Sequence, residues 1–315
     1  MTIPGIPPSV DDAVATAPVV NTAPADLEQL SEADKPEKWY SVIWSSGKAR
    51  VGIVIVVIYV LVAIFAPLVA PYSAQDSSFI PLEPASGDHL LGTNTAGQDI
   101  FSQLIYGSRV SLMVGLLGGL AATIIALIIG MISGYTEGTF VDDILSFLTN
   151  TALVIPTLPL IITLVAYSDV RGVPLIVGVI AITSWAGAAR AKRSQIITLR
   201  NRDFVTAAKF SGEGSLRIIF REIMPNMTSL VAAGFVGAAT GAIGAEAGLA
   251  ALGLGDNLSV SWGTMLYQAN AQGALQQGLY LWVIVPGLVL GVLITAMTFI
   301  NFGVDLLSNP HLRED

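Results

Sequence analysis

The sequence predicts an all-α membrane protein that crosses the bilayer six times. Of its 315 residues, 53 % are hydrophobic and only 12 % charged, and the mean hydropathy is +0.69. A soluble domain carries about 25 % charged residues. A bilayer-spanning helix needs roughly 20 mostly apolar residues, and such windows fall near 51–70, 110–134, 144–168, 173–189, 226–249 and 279–303. The third contains Pro156 and Pro159, so a kink is expected there, tolerable because neighbouring helices can satisfy the freed backbone groups.

Ahead of the first span, residues 1–40 hold seven acids against Lys35 and Lys38, among Pro, Ala, Ser and Thr. This composition predicts a disordered acidic tail over 1–45. The tail has no basic start and no apolar h-region, so it does not read as a signal peptide, and the first span is expected to act as an uncleaved anchor. The chain contains no cysteine, which rules out a disulfide framework and thiolate metal sites.

Basic residues orient the spans. With the N-terminus inside, thirteen Lys and Arg fall on the cytoplasmic side and only Arg109 and Arg171 outside, as the positive-inside rule requires. Both termini are then cytoplasmic, with 306–315 as a short C-terminal tail. Residues 46–108 form the first span and a long outside loop, and 109–305 the transmembrane core. One segment dissents: Glu137, Asp142 and Asp143 are placed inside without a Lys or Arg beside them. Acids count little in that rule.

The connection between the fourth and fifth spans is the most patterned segment. It carries eight basic residues (Arg190, Lys192, Arg193, Arg200, Arg202, Lys209, Arg217, Arg221) against Asp203, Glu213 and Glu222. It reads as helix, break at Gly212 to Gly214, then helix. Ser215 is placed to cap the second helix, whose Leu216, Ile219, Ile223 and Met224 share a face. Glu213 and Arg217 are spaced to pair across one turn, and Pro225 is the expected stop. A two-faced element in a basic loop calls for a protein partner. Its charge fits ordinary positive-inside bias and no aromatic platform accompanies it, so it is not read as a nucleic-acid surface.

Chemistry of its own is not legible in the chain. Gly47-Lys48 lacks the upstream glycine and following Ser or Thr of a P-loop. His89 and His311 are the only histidines and fall on opposite sides of the predicted membrane, so no metal or catalytic cluster is expected around them and each is expected to be a loop residue. No metal, no cofactor and no catalytic residue is assigned. Glu246, near the outer end of the fifth span, is the clear intramembrane ionisable residue; it should face protein or water, either bonding a neighbouring span at a subunit interface or lining a translocation path. The pairs Gly115/Gly119, Gly237/Gly241 and Gly287/Gly291 read as helix-packing seams.

Three ordered stretches carry a family resemblance. His89 to Leu112, with Gly92, Thr93, Gly97, Asp99, Tyr106, Gly107 and Arg109 as the outside-loop motif, resembles the entrance to the second span in permeases of dipeptide and oligopeptide ABC importers, specifically the C-type subunit. The basic connection resembles that family's EAA loop, with Ala207, Ala208, Gly212 and Pro225 at its marked positions. Gly248 to Gly255 followed by Ser261-Trp262-Gly263 matches a third stretch after the fifth span.

The resemblance implies a type I ABC importer permease fold in a bacterial cytoplasmic (inner) membrane. It also implies ATPase coupling through Asp203, Phe204, Ala207, Ala208, Gly212, Glu213, Ser215, Arg217, Arg221 and Pro225. The implied partners are a homologous permease in a heterodimer, one or two ABC ATPase subunits, an extracytoplasmic peptide-binding protein or lipoprotein, a peptide substrate, and the lipid bilayer. Nickel and oligosaccharide importers share the permease type and are the alternative. A secondary transporter is the other class, disfavoured because Glu246 stands alone where such proteins place several ionisable groups. The sequence also departs from the pattern. Asn94, Gln98 and Gln103 stand where the family usually has an acid and two arginines, so outside-loop ion pairs are expected to be missing; Thr206 and Glu222 replace the usual glutamate and a common histidine.

Overall fold

The computed structural model describes residues 43–170, 172–256 and 259–308; the acidic tail, Arg171, His311 and Arg313 lie outside them. Among the described residues ten α-helices of eight residues or more organise the chain: α1 (Gly47–Ile64), α2 (Ile100–Tyr135), α3 (Phe140–Val154), α4 (Thr157–Ala166), α5 (Val173–Thr183), α6 (Ala186–Leu199), α7 (Asp203–Phe210), α8 (Thr228–Ala251), α9 (Trp262–Ala271) and α10 (Tyr280–Ser308). Among the described residues the only β pairing is an isolated bridge between Thr93 and Asp99.

Four helical segments are long and apolar enough to cross a membrane, and the count reaches six when two bent pairs are each taken as one span. The third span is α3 plus α4, turned by 85°. Pro156 stands at the N-cap of α4 with φ −60°, where its missing N–H is harmless. The proline thus produces a break, not the gentle kink expected. The fourth span is α5 plus α6, bent by 43° at Ser184–Trp185; Trp185 Nε1 donates to Ile182 O at 3.0 Å, occupying a carbonyl at the bend.

Helix α2, 36 residues long, is the axis of the bundle, and small residues let its neighbours approach. A Cβ on Gly119 would stand 2.6 Å from the Ala239 backbone of α8, while Gly130 and Gly134 seat the α6 carbonyls of Ala189 and Arg193, 2.7 and 2.8 Å from where a Cβ would lie. Gly115 also abuts Ile243, so the Gly115/Gly119 seam forms as expected. The other two pairs do not: Gly237, Gly241, Gly287 and Gly291 meet nothing within 4 Å. Helix α1 closes on α10 where Gly52 meets Ala296 O and Gly303 meets Ala49.

At one end α9 folds back under a capping box, Ser261 and Thr264. Trp262 is fully buried there and donates Nε1 to Leu104 O at 2.9 Å. That contact carries an indole N–H into an otherwise apolar cluster with Ile100, Met265, Trp282 and Leu293.

Candidate functional site

The basic connection forms a compact knob at the end of the bundle opposite α9. Helix α7 has Asp203 in its first turn and Lys209 in its last, each complementing the helix dipole. It ends in a Schellman turn: Gly212 N donates to Lys209 O at 3.0 Å and Glu213 N to Ala208 O at 3.1 Å. That turn needs a left-handed residue at Gly212, whose φ is +78°. Glu213 and Arg217 pair at 3.4 Å as their spacing predicts.

The second half of the knob differs from the expectation in three respects. Ser215 is the first residue of a short turn Ser215–Arg217 whose N-cap is Gly214, and its side chain makes no capping bond. The chain then widens into a π-helix, Ile218–Ile223, and tightens into a 3₁₀ turn, Met224–Met227. Pro225 sits inside that tight turn and α8 follows at once, so it marks a change of helix type, not a stop. The i→i+5 register stacks Ile218 over Ile223; together with Ile219 and Met227 they are buried, while Leu216 is 72 % exposed.

The knob therefore has an anchored side and an open side. Val205, Ile218, Ile219 and Ile223 pack into a cluster with Ile196 of α6 and Met131 of α2. Phe210, at 89 % exposure, Leu216 and Phe220 point away from it, as do Phe204, Ala207, Arg217 and Arg221. A lone apolar residue on a surface is ordinary; several on one turn around a glycine hinge are a contact surface.

The knob is braced from behind by charges. Arg193 of α6 holds Asp142 of α3 through Nε at 2.8 Å and Nη2 at 2.7 Å, and Asp142 also accepts from Ser133 and Ser146 at 2.6 and 2.9 Å. Arg200 pairs with Glu137 at 2.8 Å and donates to Tyr135 O at 2.9 Å. The acids that looked unaccompanied in sequence thus meet arginines from the basic connection, which puts both segments at the same end of the bundle.

At the other end the outside-loop motif is structural throughout. Gly92 and Gly97 have φ of +81° and +69°, and each turn brings its Cα against a carbonyl, Glu83 O and Phe79 O respectively. Thr93 Oγ1 donates to Ile80 O at 2.6 Å and accepts from Glu83 N at 2.8 Å. Asp99 caps α2 through Ser102 N at 2.7 Å and bonds His89 Nδ1 at 3.0 Å. His89 is a loop residue, as expected, and a buried one: it is 4 % exposed, with the Tyr72 and Phe79 ring centroids 5.2 and 4.7 Å from its own. Gly107 lies against Trp262. Arg109 covers the Tyr106 ring and donates to Ala63 O and Ile64 O at 2.6 and 3.0 Å, satisfying the last carbonyls of α1. The three amides that replace charged residues bond one another. Gln103 Nε2 donates to Gln98 Oε1 at 2.8 Å, and Asn94 Nδ2 to the same oxygen at 2.9 Å. Neutral hydrogen bonds, with no ion pair, thus join these three positions.

Glu246 is 1 % exposed and accepts from Ser111 Oγ at 3.2 Å, tying α8 to α2 inside the chain. The open glycine face of α8 lies nearby but separate. Gly234, Gly237, Gly241 and Gly244 border a cavity of about 610 Å³ whose other wall is α4, Ser184 at the bend and Ala188. Both span breaks lie at or beside it, with Thr157 just past the first and Ser184 at the second. Irregular backbone at membrane depth is tolerated where it lines such a space. Lys192, 2 % exposed, reaches toward Gly234; its charge concealed it, although Ala189, Lys192 and Ile196 fall on one helical face.

A bundle of broken and unbroken spans with a two-part knob at one end defines the permease class of ABC importers. Its fold is shared with a chain of the inward-facing MetNI methionine ABC transporter, at a TM-score of 0.51 and 17 % identity, covering 65 % of this chain and 94 % of that one. The match to the model for the binding-protein-dependent transport system inner membrane component covers residues 126–313, and that for the N-terminal transmembrane domain of oligopeptide transport permease C covers 48–84. The chain belongs to the binding-protein-dependent transport system inner membrane component family. It is 32 % identical over 305 residues to the di/tripeptide transport system permease protein of Pseudomonas aeruginosa (strain UCBPP-PA14), covering 93 % of this chain and 98 % of that one. Against the dipeptide permease protein of Haemophilus influenzae it is 32 % identical, covering 88 % and 95 %; against the oligopeptide permease protein of Bacillus subtilis, 33 %, covering 70 % and 72 %.

Proposed function

We propose that the chain is the C-type permease of an ATP-driven dipeptide or oligopeptide importer, forming half of the translocation pathway beside a homologous permease. The carrying observation is the knob: Val205, Ile218, Ile219 and Ile223 fix it to the bundle while Phe210, Leu216 and Phe220 stay open around Gly212. A partner that closes on ATP can grip the open side, and the buried side passes its motion to α2 and α6. ATP hydrolysis belongs to that partner chain, and an extracytoplasmic binding protein delivers the solute. The termini are cytoplasmic, so the knob faces the cytoplasm and residues 72–108, the outer loop and the first turns of α2, face out. Peptide is favoured over nickel or oligosaccharide by the relatives' own names, and Glu246 bonded to Ser111 offers no ion relay for a secondary transporter.

Reconstitution tests this reading. In liposomes, this chain with its sister permease alone should neither hydrolyse ATP nor accumulate peptide; both activities should emerge on adding the ATPases and the loaded binding protein. Uphill uptake driven by a proton or sodium gradient without them would overturn it.

A further inference from the structure

Lys192 is the basic residue that the rest of the structure does not explain. On α6 it alternates with Arg190 and Arg193, which are engaged by Asn150 and Asp142. Lys192 instead turns inward. Its Cβ lies against Gly130 of α2, 2.9 Å from where a Cβ on that glycine would stand. The side chain then runs toward α8, and its ammonium lies 3.1 Å from the position a Gly234 Cβ would take. Among the described residues no carboxylate and no hydrogen-bond acceptor pairs with it. An unpaired ammonium held at this depth is costly, and such groups mark solute or ion pathways.

The ammonium lies directly behind Gly234, which borders one end of the glycine-lined cavity. Gly234 borders that cavity, as do Gly237, Gly241 and Gly244 farther along α8. This face carries nothing larger than the methyl groups of Ala238 and Ala245, so an extended solute can lie close to backbone. At the Gly234 end, where only a glycine stands between, it comes within reach of three N–H donors and a positive charge that no anion among the described residues occupies.

We propose that Lys192 makes the Gly234 end of this cavity a subsite for a carboxylate of the transported solute. On the peptide reading, on which this inference rests, that group is the C-terminal carboxylate. The glycine at 234 gives the carboxylate room to reach the ammonium, and the ammonium sets one end of the path for anionic groups.

The complete complex, with sister permease, ATPases and binding protein, would be reconstituted in vesicles of neutral lipid. Uptake of one peptide is compared with that of its C-terminal amide, each pre-bound to the binding protein at saturation. Lys192→Met should lower the acid-to-amide uptake ratio about tenfold, and Lys192→Arg should keep most of it, since a buried charge partner is lost in the first and retained in the second. If Lys192→Met does not copurify with the sister permease, Lys192→Gln is read by the same ratio. An unchanged ratio, or equal loss of both peptides as from a carboxylate of the sister permease, overturns the subsite. So does a loss confined to vesicles containing anionic lipid, which would assign the ammonium to a headgroup. Failure of the wild-type complex to import either peptide would instead overturn the peptide reading, and the subsite with it.

Discussion

Arg193 and Asp142 form a two-bonded ion pair, at 2.7 and 2.8 Å, between the helix that follows one span break and the helix that precedes the other. Asp142 has a side chain only 5 % exposed and Arg193 one 30 % exposed. Two further hydroxyls, Ser133 and Ser146, donate to Oδ1, the same carboxylate oxygen that Arg193 Nε engages. The pair fixes α3, α6 and the end of α2 into one unit, behind the knob that the ATPase would push.

Breaking it should be expensive, because losing Arg193 leaves the buried Asp142 carboxylate without a countercharge. Arg193→Met should destabilise the permease by about 3 kcal/mol and lower its yield in the assembled complex. Asp142→Asn should do less, since an amide still bonds Ser133 and Ser146. Thermal unfolding of the detergent-solubilised permease pair reads both; equal, negligible shifts would show that the clamp does not hold the bundle.

Gly212 should separate assembly from coupling. A Cβ there meets nothing within 4 Å, but the residue sits at φ +78°, so Gly212→Ile imposes backbone strain of about 1–2 kcal/mol without a clash. The knob should lose its Schellman turn while the bundle persists. ATP hydrolysis should remain measurable and peptide uptake should vanish, whereas Gly212→Asn, tolerant of the left-handed region, should retain much of the uptake. Normal uptake by a stably assembled Gly212→Ile permease would contradict the coupling role.

The neutral amide cluster of the outer loop makes a further prediction through its coupling. Asn94 and Gln103 are each 1 % exposed. Gln103→Arg alone buries an uncompensated charge and should cost about 3 kcal/mol, as should Asn94→Asp alone. The double variant restores an ion pair and should recover much of the loss, a non-additivity that a double-mutant cycle measures directly. Strictly additive losses would mean that the two side chains do not interact in the folded protein.

The spans and the knob were legible in the sequence because hydropathy and Gly212 are local signals. The break at Pro156 was legible as a kink for the same reason, but the one at Ser184–Trp185 carries no proline and was not. The π-turn moved the buried face from Leu216 to Ile218, a shift that an α-helical period of 3.6 residues conceals. Which glycine pairs close a seam depends on what stands opposite: Gly115/Gly119 and Gly130/Gly134 are filled by α8 and α6, whereas Gly237/Gly241 face a cavity. The burial of His89 and Lys192 was not legible, because one lies in a loop and the other in a run of basic residues. Their burial follows from partners distant in sequence, Tyr72 and Asp99 for one and Gly130 and Gly234 for the other.

Sidedness is the remaining prediction, and the chain is suited to it because it contains no cysteine. Ser86 in the outer loop and Ser194 on α6 are both exposed, so labelling at either position reports access to a compartment and not burial. Thirteen of the fifteen Lys and Arg are assigned to the side of Ser194, and the pairing of Arg193 and Arg200 with Asp142 and Glu137 collects the connections on that side at one end of the bundle. A membrane-impermeant thiol reagent should therefore label Ser86→Cys in intact cells and leave Ser194→Cys untouched until the membrane is opened. The reverse pattern would invert the topology and turn the Gly212 knob outward, away from any cytoplasmic ATPase.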